Sequence, residues 1–208
     1  MFSDVGRKFF ATPLSRLVPW IERTGITPNG LTLLGFVLTV VAAYLLATGI
    51  FVWGAVVLTV GSIFDMMDGH LARATGQTSV FGAFLDSSLD RYSESVILIG
   101  LTYYFAGQGR PTEVVLLSAT LVGSLMVSYT RARAEGLGIE CKVGMFQRPE
   151  RVVLLVVGLL FGWIVPVLWI LAVFTNITAL QRIYEVFQQT KDRPAPAPPL
   201  PIEAEDQH

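Results

Sequence analysis

The run GLTLLGFVLTVVAAYLLATGI, residues 30–50, contains no charged residue, and at 1.5 Å per residue it is long enough to cross a hydrocarbon core about 30 Å thick. Five further apolar runs follow near 52–71, 79–106, 112–134, 149–164 and 165–189. The fifth and sixth are divided only by GWIVP, where Gly162 and Pro166 mark either a tight turn or a kink, and their combined length favours two helices. Of the 208 residues, 52% are hydrophobic and only 15% charged, which excludes an ordinary soluble globule. The expected fold is all-α, a polytopic membrane protein with six transmembrane helices over residues 23–190. Residues 1–22 read as an amphipathic juxtamembrane helix, with Phe10, Leu14 and Leu17 toward lipid and Lys8 and Arg16 toward phosphates, and without the apolar core of a signal peptide. Residues 191–208 read as a disordered, proline-rich cytoplasmic tail.

Lys and Arg set the expected orientation. With the N-terminus cytoplasmic, Arg73, Arg131, Arg133, Lys142, Arg148, Arg151, Arg182 and Lys191 all fall on the cytoplasmic side, and among the connecting segments only Arg110 falls outside. The expected location is the cytoplasmic membrane, multi-pass, with both termini and the working site facing the cytoplasm. No nucleic-acid partner is expected. The single cysteine, Cys141, excludes an internal disulfide and a multi-cysteine metal site.

The chemistry is concentrated in FDMMDGHLARATGQTSVFGAFLDSSLDRYSE, residues 64–94, which puts four aspartates in or beside two apolar helices. Ionisable groups are costly there, so a function is the default reading. Asp65 and Asp68 are three apart, Asp86 and Asp90 four apart, so each pair shares a helix face. Counting rise from the expected helix entries, Asp65 and Asp68 lie roughly 20 and 24 Å from the outer side, and Asp86 and Asp90 roughly 10 and 16 Å from the cytoplasmic side. Those depths nearly coincide. Four facing carboxylates need protons or cations, and oxygen-only ligands suit two divalent ions, Mg2+ or Mn2+, held by Asp65, Asp68, Asp86 and Asp90 together. Two such ions about 4 Å apart clamp the attacking and leaving oxygens of a displacement at phosphorus. For a single aspartate, a solvated cap or a partner for Arg73 or Arg91 is an equal alternative. Gly69 and Gly82 either admit a phosphate to the backbone or allow close helix packing. Glu94 reads as a salt-bridge partner for a basic neighbour.

The pattern Asp65-x-x-Asp68-Gly69-x-x-Ala72-Arg73, eight residues, Gly82-x-x-x-Asp86-x-x-x-Asp90 resembles the signature of the CDP-alcohol phosphotransferases. The resemblance implies six helices and a homodimer, Asp65, Asp68 and Asp86 as metal ligands, and Asp90 as the base near the metals that activates an acceptor hydroxyl. It also implies CMP as leaving group and a CDP-linked lipid bound around Asn29, Thr32, Asp68, Gly69, Ala72, Arg73 and Gly82. At Thr27-Pro28-Asn29-Gly30-Leu31-Thr32, an N-cap with Pro28 at the first helical position is an equal reading to a nucleotide contact.

Five basic residues, Arg131, Arg133, Lys142, Arg148 and Arg151, crowd the end of the fourth helix and the loop after it. Each alone fits the positive-inside bias; together, arginine forks around one opening suit a phosphorylated polyol acceptor. Ser128 to Glu135, Arg148 to Arg151 and Gln181-Arg182 resemble the branch of the family whose acceptor is inositol 1-phosphate. That implies Arg131, Arg151 and Arg182 at the acceptor phosphate, with Arg133 and Arg148 as neighbours. Position 131 is commonly lysine in the bacterial members and is arginine here. Glycerol 3-phosphate as acceptor is the alternative within the family. A cation transporter would place its acids near the midplane between repeated halves, and a non-catalytic scaffold would have no use for them. Ala119 and Gly123 on the fourth helix are spaced for close helix contact.

Overall fold

The structure, a computed structural model, describes residues 25–144 and 146–192. The expected surface helix over residues 1–22, and the tail beyond residue 192, lie outside the described residues. Six helices follow one another: α1 Pro28–Ala47, α2 Phe51–Ala74, α3 Val80–Gly107, α4 Pro111–Gly136, α5 Arg148–Phe161 and α6 Ile164–Thr190. All described regular structure is helical, as the apolar runs imply.

Local chemistry explains the boundaries. Thr27 Oγ1 accepts the Gly30 N–H at 3.2 Å and Pro28 opens α1, because proline lacks an N–H that the first turn leaves unpaired anyway. Ser79 caps α3 in the same way, accepting from Gly82 N at 2.9 Å. Gly162 ends α5 at φ +71°, and the Trp163 N–H returns to the Gly158 carbonyl at 2.8 Å. Of the two residues in GWIVP, Gly162 therefore makes the turn, whereas Pro166 sits harmlessly in the first turn of α6.

Helix α1 packs against α2 and α3; α4 packs against α3 and α6; α5 lies between α2 and α6. The crossings are close where side chains are smallest. A Cβ on Gly35 would stand 3.1 Å from the Gly61 carbonyl, and one on Gly61 would stand 3.1 Å from the Gly35 carbonyl. At the α1–α3 crossing a Cβ on Gly100 would lie 2.5 Å from the Ala43 carbonyl oxygen. Backbone cannot yield there as a side chain would. Gly100→Val is therefore expected to lower stability by about 1–3 kcal/mol through overpacking, read as a fall in the thermal midpoint of the detergent-solubilised protein. The Ala119–Gly123 pair serves α6 within the chain: Thr175 and Asn176 fill the space a Gly123 side chain would take, and Asn176 Nδ2 donates to the Ala119 carbonyl at 3.0 Å.

The core is a band of Leu, Ala, Val and Ile reaching from Ala42, Leu46 and Leu58 through Leu101 and Leu117 to Leu168 and Leu171. Three of its buried hydroxyls are satisfied at home: Thr39, Thr120 and Thr175 each donate to the carbonyl four residues back, at 2.8–3.0 Å. Many large apolar side chains face outward, among them Leu33, Val37, Val60, Val122 and Leu180, as expected of surfaces that meet lipid rather than water. Four helices, α1, α2, α4 and α6, are long and apolar enough to cross a membrane. Helix α3 is long enough but carries Asp86, Asp90, Arg91 and Glu94, and α5 has only 14 residues. Exposed Tyr44, Trp53, Tyr103 and Trp163 lie near the chain ends of α1, α2, α3 and α5 that are remote from the aspartates, where amphipathic rings favour a membrane interface.

Candidate active site

The second half of α2 and the first half of α3 run antiparallel across a turn of five residues, 75–79, so their acidic faces oppose one another. One carboxylate oxygen from each of Asp65, Asp68 and Asp86 falls within 4.8 Å of the others. Three of the four aspartates expected to lie at similar depth thus come together. All three donors are hard carboxylate oxygens, with no sulfur or imidazole in the group, which fits a divalent cation of the Mg2+ or Mn2+ type. Asp68 is buried, 6% exposed, and is oriented from α1: Thr32 Oγ1 donates to its Oδ2 at 2.5 Å, with the Pro28 carbonyl, 3.1 Å away, as the other acceptor for that single proton.

Asp90 stands beside this trio rather than in it, joined through a residue from a distant part of the chain. Arg148, at the first position of α5, donates to Asp65 Oδ2 at 2.7 Å and pairs with Asp90 Oδ1. The alternative partners read from the sequence, Arg73 and Arg91, do not take these carboxylates; Arg91 donates to the carbonyl of Ser87 on its own helix. One turn deeper, Arg151 grips Glu94 with two parallel bonds at 2.6 and 2.7 Å. Glu94 is thus a salt-bridge partner as its position suggests, to an arginine 57 residues away.

Apart from a smaller one lined by Asp65, Arg148 and Arg151, two cavities with different linings adjoin the aspartates. The first, about 180 Å3, is lined by Asn29, Thr32, Asp68, Gly69, Ala72, Arg73, Gly82 and Asp86, with Gln77, Thr78 and Ser79 from the α2–α3 turn. It gathers all seven positions that the motif resemblance implies for a CDP-linked lipid. At the α1 entry Thr27 caps the helix and Asn29 lines the cavity. Both glycines line this cavity. A Cβ on Gly82 would meet Ser79 Oγ at 3.0 Å and Asn29 Oδ1 at 3.1 Å, and one on Gly69 would meet first the Arg73 guanidinium at 3.4 Å, with no second helix backbone among these neighbours.

The second cavity, about 160 Å3, is lined by Asp90, Arg91, Glu94, Ser128, Arg131, Gln147, Arg148, Arg151 and Arg182. Four of the five arginines expected around an anion converge here. Arg133 does not: it is exposed at the end of α4, where the helical step from 131 turns it away from the opening. Arg131 pairs along its own helix with Glu135 at 2.8 Å, an exposed contact of little energetic consequence. Arg182, only 3% exposed, donates to the carbonyls of Val143, at 2.9 Å, and Val127. The turn residues 77–79 and Gln147 carry only turn and helix-start signals in the sequence, and Ser128 enters there only as the first residue of the stretch that resembles the inositol 1-phosphate branch.

The family model for CDP-alcohol phosphatidyltransferase matches residues 25–180. Archaetidylinositol phosphate synthase of Pyrococcus horikoshii is 40% identical over 174 residues, covering 83% of this chain and 90% of the relative. Phosphatidylinositol phosphate synthase of Mycobacteroides abscessus is 35% identical over 191 residues, covering 88% of this chain and 87% of the relative. Among solved structures, phosphatidylinositol phosphate synthase of Mycobacterium tuberculosis with CDP-DAG bound superposes with a TM-score of 0.79 at 32% identity, over 84% of this chain and 93% of that one. The same enzyme in complex with manganese and citrate gives 0.78 at 33% identity, over 84% and 88%. With the motif, the helix order and the carboxylate cluster in agreement with a match over three-quarters of its length, the chain belongs to the CDP-alcohol phosphatidyltransferase family.

Proposed function

We propose that this enzyme transfers a phosphatidyl-type group from a CDP-linked lipid to inositol 1-phosphate or a closely similar phosphorylated polyol, releasing CMP. The observation that carries this reading is the division of the aspartates between two cavities. Asp68 and Asp86 line the cavity that holds the lipid-nucleotide motif, while Asp90 lines the one rimmed by arginines. A neutral acceptor has no use for four guanidinium groups, whereas a phosphate can accept from several forks at once. The names of the relatives, both inositol phosphate lipid synthases, favour the same acceptor.

In this reading Asp65, Asp68 and Asp86 would hold the divalent cations, and the bond from Thr32 fixes the Asp68 carboxylate. When bound, the cations supply positive charge to the phosphate oxygens of the CDP-lipid. Asn29, Gly69, Arg73 and Gly82 shape the bed for the nucleotide and its phosphates, and Arg131, Arg148, Arg151 and Arg182 draw in the acceptor's phosphate. Asp90 takes the proton of the acceptor hydroxyl as its oxygen attacks the lipid-linked phosphorus. The new P–O bond forms to the acceptor, and the P–O bond to the CMP phosphate breaks. Arg148, tied to both Asp65 and Asp90, links the carboxylates of the two sides.

All six helices cross or enter the bilayer in this reading. Helix α3 turns Asp90 and Glu94 toward Arg148 and Arg151 of α5, and pairing of these charges lowers the cost of placing them in a membrane. Helix α5 is about 21 Å long and starts below the headgroups at Arg148. The arginine-rich end faces the cytoplasm of the cell membrane, in keeping with the positive-inside bias.

Purified protein given CDP-diacylglycerol and Mn2+ is expected to release CMP with inositol 1-phosphate and not with free inositol. Turnover with glycerol 3-phosphate alone would keep the chemistry and replace the acceptor; turnover with free inositol would remove the role of the arginines.

A further inference from the structure

Glu94 belongs to no part of the aspartate motif, yet both of its carboxylate oxygens are taken by one guanidinium. Its side chain is 15% exposed, and each of its oxygens accepts from Arg151, from Nε at 2.6 Å and from Nη2 at 2.7 Å. Arg151 gives a third bond, from Nη1 to the Phe146 carbonyl at 3.0 Å. A guanidinium has five N–H groups, so two remain for the cavity that Arg151 lines. A negative charge on the wall of an anion site opposes the anion by Coulomb's law. A carboxylate kept there despite that repulsion must contribute in another way.

We infer that Glu94 is a positioning residue for acceptor binding: it locks the Arg151 fork, so that this guanidinium meets the acceptor's phosphate already ordered. The inference rests on the reading of the arginine-lined cavity as the phosphorylated acceptor's site. Arg182 shows the same device with neutral partners, its fork held by the carbonyls of Val127 and Val143. Two of the cavity's guanidinium groups are thus fixed before any ligand arrives, each 3% exposed, and ordering that precedes binding is subtracted from the entropy lost on binding. The lock also sets the register of α5 against α3. Arg148 and Arg151 are three apart on α5 and Asp90 and Glu94 four apart on α3, which makes two rungs of one ladder.

The test is steady-state kinetics of the full chain with CDP-diacylglycerol and Mn2+, comparing wild type, Glu94→Gln and Glu94→Asp. Positioning predicts a KM for inositol 1-phosphate raised about tenfold in Glu94→Gln, with the KM for the CDP-lipid unchanged. Electrostatics alone predicts the opposite sign, because loss of a negative charge would tighten an anion, so an acceptor KM that falls or stays constant overturns the inference. Glu94→Asp retains charge with a shorter reach and is expected to raise the acceptor KM by less. Should Glu94→Gln fail to fold, that variant carries the test, and an acceptor KM identical to wild type sinks the idea. If wild type itself uses inositol as well as inositol 1-phosphate, the acceptor reading fails first and the inference falls with it.

Discussion

The Asp90→Asn enzyme is expected to lose about two to four orders of magnitude in CMP release, the range associated with removing a general base. Asparagine preserves the size of the side chain and one carbonyl oxygen for Arg148, and Arg148 retains its bond to Asp65. The fold should therefore survive, with the thermal midpoint close to that of wild type. The three carboxylates that cluster within 4.8 Å do not include Asp90, so Mn2+ binding, followed by electron paramagnetic resonance, should persist in the variant. An enzyme that folds, binds Mn2+ and does not transfer would isolate the proton-accepting role. Loss of Mn2+ binding together with activity would instead make Asp90 a ligand first, and activity within a few-fold of wild type would end its candidacy as base.

Asp68→Asn should act on the other side of the site. Asp68 is the most buried of the four, and Thr32 holds it at 2.5 Å. An amide oxygen still accepts that hydrogen bond, so orientation is kept while one negative charge is removed beside the cation. At about 4 Å and an effective dielectric near 20, a unit charge pair is worth roughly 4 kcal/mol. Even with much of that screened, the affinity for Mn2+ should fall at least about a hundredfold, and activity should vanish at Mn2+ concentrations that saturate wild type. In the wild type, chelation should abolish turnover and added Mn2+ or Mg2+ restore it. Unaltered Mn2+ affinity in Asp68→Asn would place the cation elsewhere.

What could be read in the sequence was what lies close along the chain or repeats at helical spacing. The six helices start and stop within a few residues of the apolar runs, because Thr27-Pro28 and Ser79 write their own N-caps. The cavity beside Asp68 and Asp86 was legible for a related reason: its walls are two consecutive helices and the turn between them, spanned by one spaced motif, together with the start of α1, which carries a second short stretch of its own. The partners of the carboxylates were not. Arg148 reaches Asp65 across 83 residues and Arg151 reaches Glu94 across 57; nothing local distinguishes them from arginines that obey the positive-inside bias. Arg133 shows the converse. Its place among the basic residues suggested a site, but two steps along a helix from Arg131 turn it onto another face. GWIVP was ambiguous because Gly162 and Pro166 both interrupt helices, and only the positive φ of Gly162 decides which one does so here.

The distribution of directional bonds between helices implies a gradient of stiffness. Thr32 to Asp68, Arg148 to Asp65 and Asp90, Arg151 to Glu94 and Arg182 to Val127 all tie helices together at the end that carries the aspartates. Asn176 to Ala119 lies nearer the middle, and among the described residues no side-chain hydrogen bond joins two helices at the opposite end. There the bundle is held by close-packed apolar contacts, which tolerate small tilts and slides at low cost, while charge-assisted bonds do not. A bilayer that thickens or thins should thus be accommodated by splaying of the aromatic-tipped ends, with the reacting groups left in register. An enzyme whose substrate and product both lie in the membrane is in this way insulated from differences in the thickness of the bilayer around it.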